Sequence, residues 1–164
     1  MEKKISAFYK KEKLICLIAV IIGFAFAIQY FFATYVSAEY TYLFYTMTGF
    51  GLVYIFHYGY RWLFLNRREK AALSEFKTTP SSFAQNENAW LSKRFIEHKN
   101  YKFLLEILVF IGALAFVIAL TGFYKTVLGA SGVGVMMGAG FWLCFELFSE
   151  FQTKEYEHFV EKHR

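Results

Sequence analysis

The sequence predicts an all-α membrane protein with four transmembrane helices, built as two tandem helical hairpins of the same orientation, with both chain ends cytoplasmic. Three observations carry this expectation. Four long apolar segments follow one another, basic residues alternate in density between them, and the two halves of the chain resemble each other.

The apolar segments run from about Leu14 to Val36, Tyr40 to Leu65, Lys102 to Tyr124 and Thr126 to Phe148. At about 1.5 Å of rise per residue, each is long enough to cross a hydrocarbon core of about 30 Å. Apolar residues occur all round each segment, whereas a soluble amphipathic helix is apolar on one side. The whole chain of 164 residues is 57% hydrophobic and 22% aromatic, with 21 Phe and 12 Tyr. That exceeds ordinary soluble usage and suits lipid-facing surfaces with interfacial belts. The aromatic cluster Tyr30, Phe31, Phe32, Tyr35, Tyr40, Tyr42, Phe44 and Tyr45 reads as such a belt at the outer end of the first hairpin.

The first segment is preceded by Lys3, Lys4, Lys10, Lys11 and Lys13. This basic start followed by Ala25-Phe26-Ala27 has some look of a cleaved signal peptide. The apolar run continues well beyond Ala27, however, and is too long for an h-region, so it reads as an uncleaved span. The next connection, Ser37 to Glu39, has no Lys or Arg, the stretch from Arg61 to Lys102 has nine, and the third connection has Lys125 alone. The positive-inside rule then places both ends and the central loop in the cytoplasm. Net charge of +5 is explained by this topology and requires no nucleic-acid partner. A bacterial inner membrane is the simplest location for such a chain.

This divides the chain into a first hairpin with a basic start (1–65), a cytoplasmic loop (66–100) and a second hairpin with a cytoplasmic tail (101–164). In the loop, Asn66 to Phe76 reads as a helix continuing from the second span, and Thr78 to Ser82 as a break around Pro80, the one proline. From Asn86 to Lys99, Trp90, Leu91, Phe95 and Ile96 share a face, with Lys93, Arg94 and Glu97 elsewhere. Such an amphipathic stretch suits either the inner leaflet or a protein partner.

Shifting the chain by 89 residues aligns its halves without gaps. Ile22-Gly23 falls on Ile111-Gly112, Met47, Gly49 and Gly51 on Met136, Gly138 and Gly140, and Lys13 on Lys102. The expected consequence is a pseudo-two-fold along the membrane normal, which extends readily to a symmetric oligomer. Ala130, Gly134 and Gly138 recur every four residues, and with Gly49, Gly51 and Gly140 they offer close helix contacts within or between chains.

The same shift sets His57 on Glu146 and Arg61 on Glu150, so a basic and an acidic pair hold equivalent places in the second and fourth segments. Together with Glu106, which has Lys102 one turn earlier as a partner, they form the candidate intramembrane polar cluster. Such groups are costly in lipid and mark either ion paths or structural pairs near the boundary.

Several chemistries lack their residues. All 13 acidic residues are Glu, which removes aspartyl-phosphate chemistry and Asp-containing triads. Cys16 and Cys144 stand singly, His98, His158 and His163 lie outside the spans, and no dense ligand spacing or nucleotide loop occurs. No cofactor and no metal are expected. The function that fits is a non-enzymatic homo-oligomeric assembly: a pore, a sensor or a membrane effector. An accessory or immunity-type protein binding a partner through residues 66–100 is one alternative. A small ion- or proton-coupled transporter using the polar cluster is another.

Overall fold

The computed structural model describes residues 2–33, 35 and 38–162, except the side chains of Ala38, Glu39 and Ser81. Val36 and Ser37, in the expected first outer turn, and His163 lie outside the described residues.

Among the described residues the chain is all helical. Four helices follow in order: α1 (Glu2–Ala33), α2 (Ala38–Thr78), α3 (Pro80–Leu120) and α4 (Lys125–Glu161). Three of them, α1, α3 and α4, are long and apolar enough to cross a membrane. The second expected span falls short, because Tyr40, Tyr42, Tyr45, Tyr54, Tyr58 and Tyr60 share it with His57 and Arg61. Tyrosine is apolar in its ring and polar at its tip, so a segment rich in it is less apolar than its bulk suggests.

Residues 66–100 are helical on both sides of the expected break at Pro80. The second helix runs unbroken to Thr78, and the third starts at Pro80, leaving Thr79 between them. Proline is suited to this first position, since its missing N–H would have no intrahelical partner there. Thr79 N–H donates back to the Glu75 carbonyl at 2.8 Å and its own carbonyl accepts from Phe83 at 3.1 Å, so the reversal is tight. The rings of Phe76 and Phe83 close it, with centroids 5.5 Å apart. At the other turn, Gly122 has φ +91°, a backbone geometry open to glycine without strain.

Packing pairs α1 with α2 and α3 with α4, and α2 against α4 joins the pairs. The join is aromatic. Tyr54, Tyr58, Trp142 and Phe145 meet edge to face or tilted, with centroids 5.6–6.2 Å apart. Tyr54 donates its hydroxyl to the Gly138 carbonyl. The bundle axis is therefore filled with rings.

Glycines set the closest approaches, though not where an 89-residue repeat would put them. A Cβ on Gly51 would stand 2.6 Å from the Gly23 carbonyl oxygen, so α1 and α2 touch backbone to backbone there. In the second pair, Gly112 meets Gly132 and not Gly140, the position equivalent to Gly51. The second crossing is thus displaced by eight residues, about two turns. Gly134 and Gly138 lie against Thr46 and Phe50 of α2, so this part of the small-residue ridge is used inside the chain. Ala130 lines a notch near the turn between α3 and α4. Gly49 and Gly140 have open space beside them.

Candidate functional site

The helices are 32 to 41 residues long, about 48–60 Å, so they outrun an apolar core of about 30 Å. Their charged halves lie together, at the end of the bundle that holds Glu2, the Thr79 reversal and Glu161. At the level where the uncharged runs stop, one side chain or two from each helix converge on a single buried point.

Arg61 of α2 is its centre. Its Nη1 donates to Glu146 Oε1 at 3.0 Å and its Nη2 to Glu12 Oε2 at 2.8 Å, and it also reaches the Ser149 hydroxyl. Arg94 of α3 donates to the same Glu12 oxygen at 3.2 Å. Glu146 further accepts from Tyr58 at 3.2 Å and meets His98 Nδ1 at 2.7 Å. Ser149 Oγ lies 2.8 and 2.9 Å from the two Glu12 oxygens and 3.4 Å from His98 Nε2. Glu12 and Ser149 are fully buried, and Arg61, His98 and Glu146 nearly so. Two carboxylates face two guanidiniums, so the cluster is close to neutral. Burial of an ion is tolerable only with this degree of pairing and hydrogen bonding.

A second buried acid lies nearer the charged tip. Glu87 accepts from Tyr9 at 2.8 Å, Tyr156 at 3.1 Å and Arg68 at 2.5 Å. Burial, then the neighbouring Glu87 charge, pushes both phenols above their ordinary range. Phe8 stacks on Tyr156 at 4.1 Å, and Trp90 tilts against Tyr9 at 5.9 Å.

The expected cluster is therefore redistributed. Arg61 and Glu146 meet. His57 stands beside them among Tyr58, Tyr101 and Trp142, and its Nε2 has no hydrogen-bond partner. Glu150 binds Lys102 at 2.5 Å and Lys154 at 2.8 Å instead. Lys102 is thereby turned from Glu106, which is exposed. The amphipathic face of α3 is largely spent within the chain: Leu91 is fully buried, Trp90 packs on α1, Phe95 is half-buried and Ile96 alone is well exposed. Cys16 is buried and Cys144 exposed.

Glu12, Arg94, His98 and Ser149 are the members that the polar-residue reasoning missed. Their contacts include one order of chemical interest, since acid Glu146, His98 and hydroxyl Ser149 are connected as in a serine hydrolase. Access and proton position oppose that chemistry. Ser149 is fully buried, a carboxylate of Glu12 lies closer to its hydroxyl than His98 does, and two guanidiniums occupy its other side.

Beyond the buried layer, two pairs respond to acid. Burial alone would raise the Glu69 carboxyl, but hydrogen bonds from Lys13 at 2.7 Å and Ser6 at 2.9 Å outweigh it and hold the group below its ordinary 4.5. Hydrogen bonds from Lys102 and Lys154 hold Glu150 below the same value. A carboxylate depressed by folding stabilises the fold above its unfolded pKa, and that contribution is lost as pH falls through the folded one. The melting temperature of purified protein is expected to fall below pH 4.5, less steeply in a Glu69→Gln, Glu150→Gln double variant. Identical acid profiles for the two proteins would refute the assignment.

No protein-family model matches the chain, and no curated protein or solved structure is significantly similar to it.

Proposed function

We propose that the chain crosses the membrane four times, with its charged end in the cytoplasm, and is the repeating subunit of a non-enzymatic homo-oligomeric membrane assembly. The observation that carries the oligomer is bare backbone on the outside of α2 and of α4. Gly49 of α2 and Gly140 of α4 each have no neighbour within 4 Å. Bare backbone facing outward gives lipid nothing to gain, whereas a second helix gains close van der Waals contact there. The ring-filled axis supports placing any conducting path between copies rather than through one bundle. Orientation rests on charge: the outer turn carries Lys125 alone, so an impermeant amine reagent applied outside should modify Lys125 before any lysine of the opposite end.

The deciding experiment is native mass spectrometry of the protein in mild detergent. A defined multiple of 19.2 kDa is expected. In Gly140→Leu the mass should revert to the single chain without loss of its thermal stability. Cys144, one turn from Gly140 and exposed, should cross-link under mild oxidation while buried Cys16 does not. A wild-type protein that stays monomeric refutes the assembly.

A second reading has one observation in its favour, the Glu146–His98–Ser149 order of contacts. A fluorophosphonate probe separates the two. No labelling is expected of a non-enzymatic assembly, and labelling abolished by Ser149→Ala would replace it with a serine hydrolase.

A further inference from the structure

The glycine contacts of α4 lie in its middle turns. Gly132 meets Gly112 of α3, and Gly134 and Gly138 lie against Thr46 and Phe50 of α2. Nearer the turn between α3 and α4, the same three helices leave a notch of about 500 Å³. Small residues hollow it. Gly129 and Ala130 of α4 and Ala119 of α3 all belong to its lining, and a Cβ on Gly129 would meet only the Ala119 methyl, at 3.4 Å. Leu43 of α2, Phe116 of α3 and Val133 of α4 make the rest of it apolar. From Lys125 to Val133 the notch follows about 12 Å of α4 at 1.5 Å of rise per residue.

One end of this lining is charged. Lys125, the first residue of α4, is exposed and forms no ion pair among the described residues. It is the one charged residue of the lining, and α3 and α4 carry no acidic residue between Glu106 and Glu146. The helix also opens on Tyr124 without a side-chain cap, so its first N–H groups add partial positive charge beside the ammonium. An apolar notch left unfilled forfeits dispersion contacts on every wall, so lipid or a ligand gains by entering it. The arrangement, cationic at the membrane boundary and apolar towards the bilayer centre, is complementary to an amphiphile with one negative charge at its end.

We propose that this notch binds a long-chain fatty acid, with its carboxylate on Lys125 and the start of its chain over Ala130 and Val133. The proposal rests on the membrane-spanning reading and is independent of the oligomer. The volume falls within the range of about 300–1,000 Å³ common to small-molecule sites, and a few polar groups beside an apolar lining are what fixes a ligand's direction there. A single acyl chain with a single terminal charge matches one narrow notch and one lysine. The direction also agrees with the bilayer. The carboxylate stays at the boundary, where the lysine head reaches water and its methylene stem lies along the apolar wall.

The test is native mass spectrometry of the detergent-purified full chain, titrated with hexadecanoate, hexadecanol or phosphatidylglycerol at mildly alkaline pH, where the carboxyl is ionised and lysine is still charged. One hexadecanoate per chain should be retained in preference to hexadecanol, which has the same chain and no charge. Lys125→Met keeps an apolar stem without the ammonium. It should weaken hexadecanoate about fivefold, the worth of one lysine near an anionic headgroup, and leave hexadecanol unchanged. Ala130→Leu fills the notch and should weaken both probes, whereas Lys93→Ala, at the opposite end, should weaken neither. Equal retention of the two probes overturns the proposal. Indifference to Lys125→Met also overturns it, as would follow were that lysine answered by Glu39. Displacement of hexadecanoate by phosphatidylglycerol at comparable concentration overturns it in favour of a phospholipid groove. A loss of oligomer mass in Ala130→Leu with hexadecanoate retention unchanged overturns it in favour of a second copy in the notch. A chain that stays in solution without detergent defeats the membrane reading itself, and is distinguishable because it is seen before any probe is added.

Discussion

Arg61→Ala is expected to be the most damaging single substitution in the chain, lowering stability by about 3–5 kcal/mol. The guanidinium is the shared partner of Glu12 and Glu146, which come from the first and last helices and are both within 3.0 Å of it. Without it, Glu12 retains Arg94 at 3.2 Å, and Glu146 retains Tyr58 and His98. Two buried carboxylates then share less positive charge, and the cavity left by the long side chain adds to the cost. Arg61→Lys should fall between wild type and alanine, because one ammonium cannot present two divergent N–H groups to acids on opposite sides. The check is a thermal melt in detergent followed by size exclusion, where Arg61→Ala should unfold on the order of 10 °C lower. A shift of a degree or two would mean that the cluster is solvated in the membrane and does not join the helices. Replacing the whole set with fitted apolar side chains is a different experiment, and could leave stability unchanged, since removing every charge also removes the desolvation cost.

Gly51→Ala is expected to cost about 1–3 kcal/mol, while Gly49→Ala, two residues away, leaves the isolated chain unharmed. At Gly51 the added methyl would meet backbone on two sides, 2.6 Å from the Gly23 carbonyl oxygen and 2.7 Å from the Ala27 nitrogen, and backbone in a helix cannot step aside. The α1–α2 pair would have to separate or slide. At Gly49 nothing lies within 4 Å, and alanine is the better helix former. Comparing the two melts of the monomeric Gly140→Leu background isolates this effect from assembly. Equal melting of the two variants would show that the helices are not in backbone contact at Gly23.

Helix number, the Pro80 break and the coexistence of Arg61 with Glu146 were all legible in the sequence. Long uncharged runs and a lone proline are local signals, and an intrahelical spacing of four marks a face. The rest of the cluster was hidden by flanking charge. Glu12 sits between Lys11 and Lys13 and reads as part of a solvated basic end. It also falls on the stripe Ile5, Tyr9, Glu12, Cys16, Ala19, Gly23, every member of which is buried, and that period was the signal available. Glu87, Leu91, Arg94 and His98 repeat the pattern on α3. They were obscured because residues 66–100 look like a polar connection when each side chain is judged by its own polarity. The apparent repeat has a different lesson. Glycines recur at an 89-residue spacing, but which glycine meets which is settled by how far one helix slides along its neighbour, and a pattern of small residues is compatible with several such offsets.

The distribution of the ion pairs also bears on how the protein is made. Glu12 and Arg61 belong to the first hairpin, and His98 and Glu146 to the second. The first half thus leaves the ribosome with an acid and a base able to cancel each other. Arg61 with Glu146, Arg94 with Glu12, Arg68 with Glu87 and Lys11 with Glu155 wait for the other half. Synthesis in two instalments, followed by pairing of charges between them, gives the cell a chemical mark of completion: an orphaned second half still holds Arg94 without Glu12.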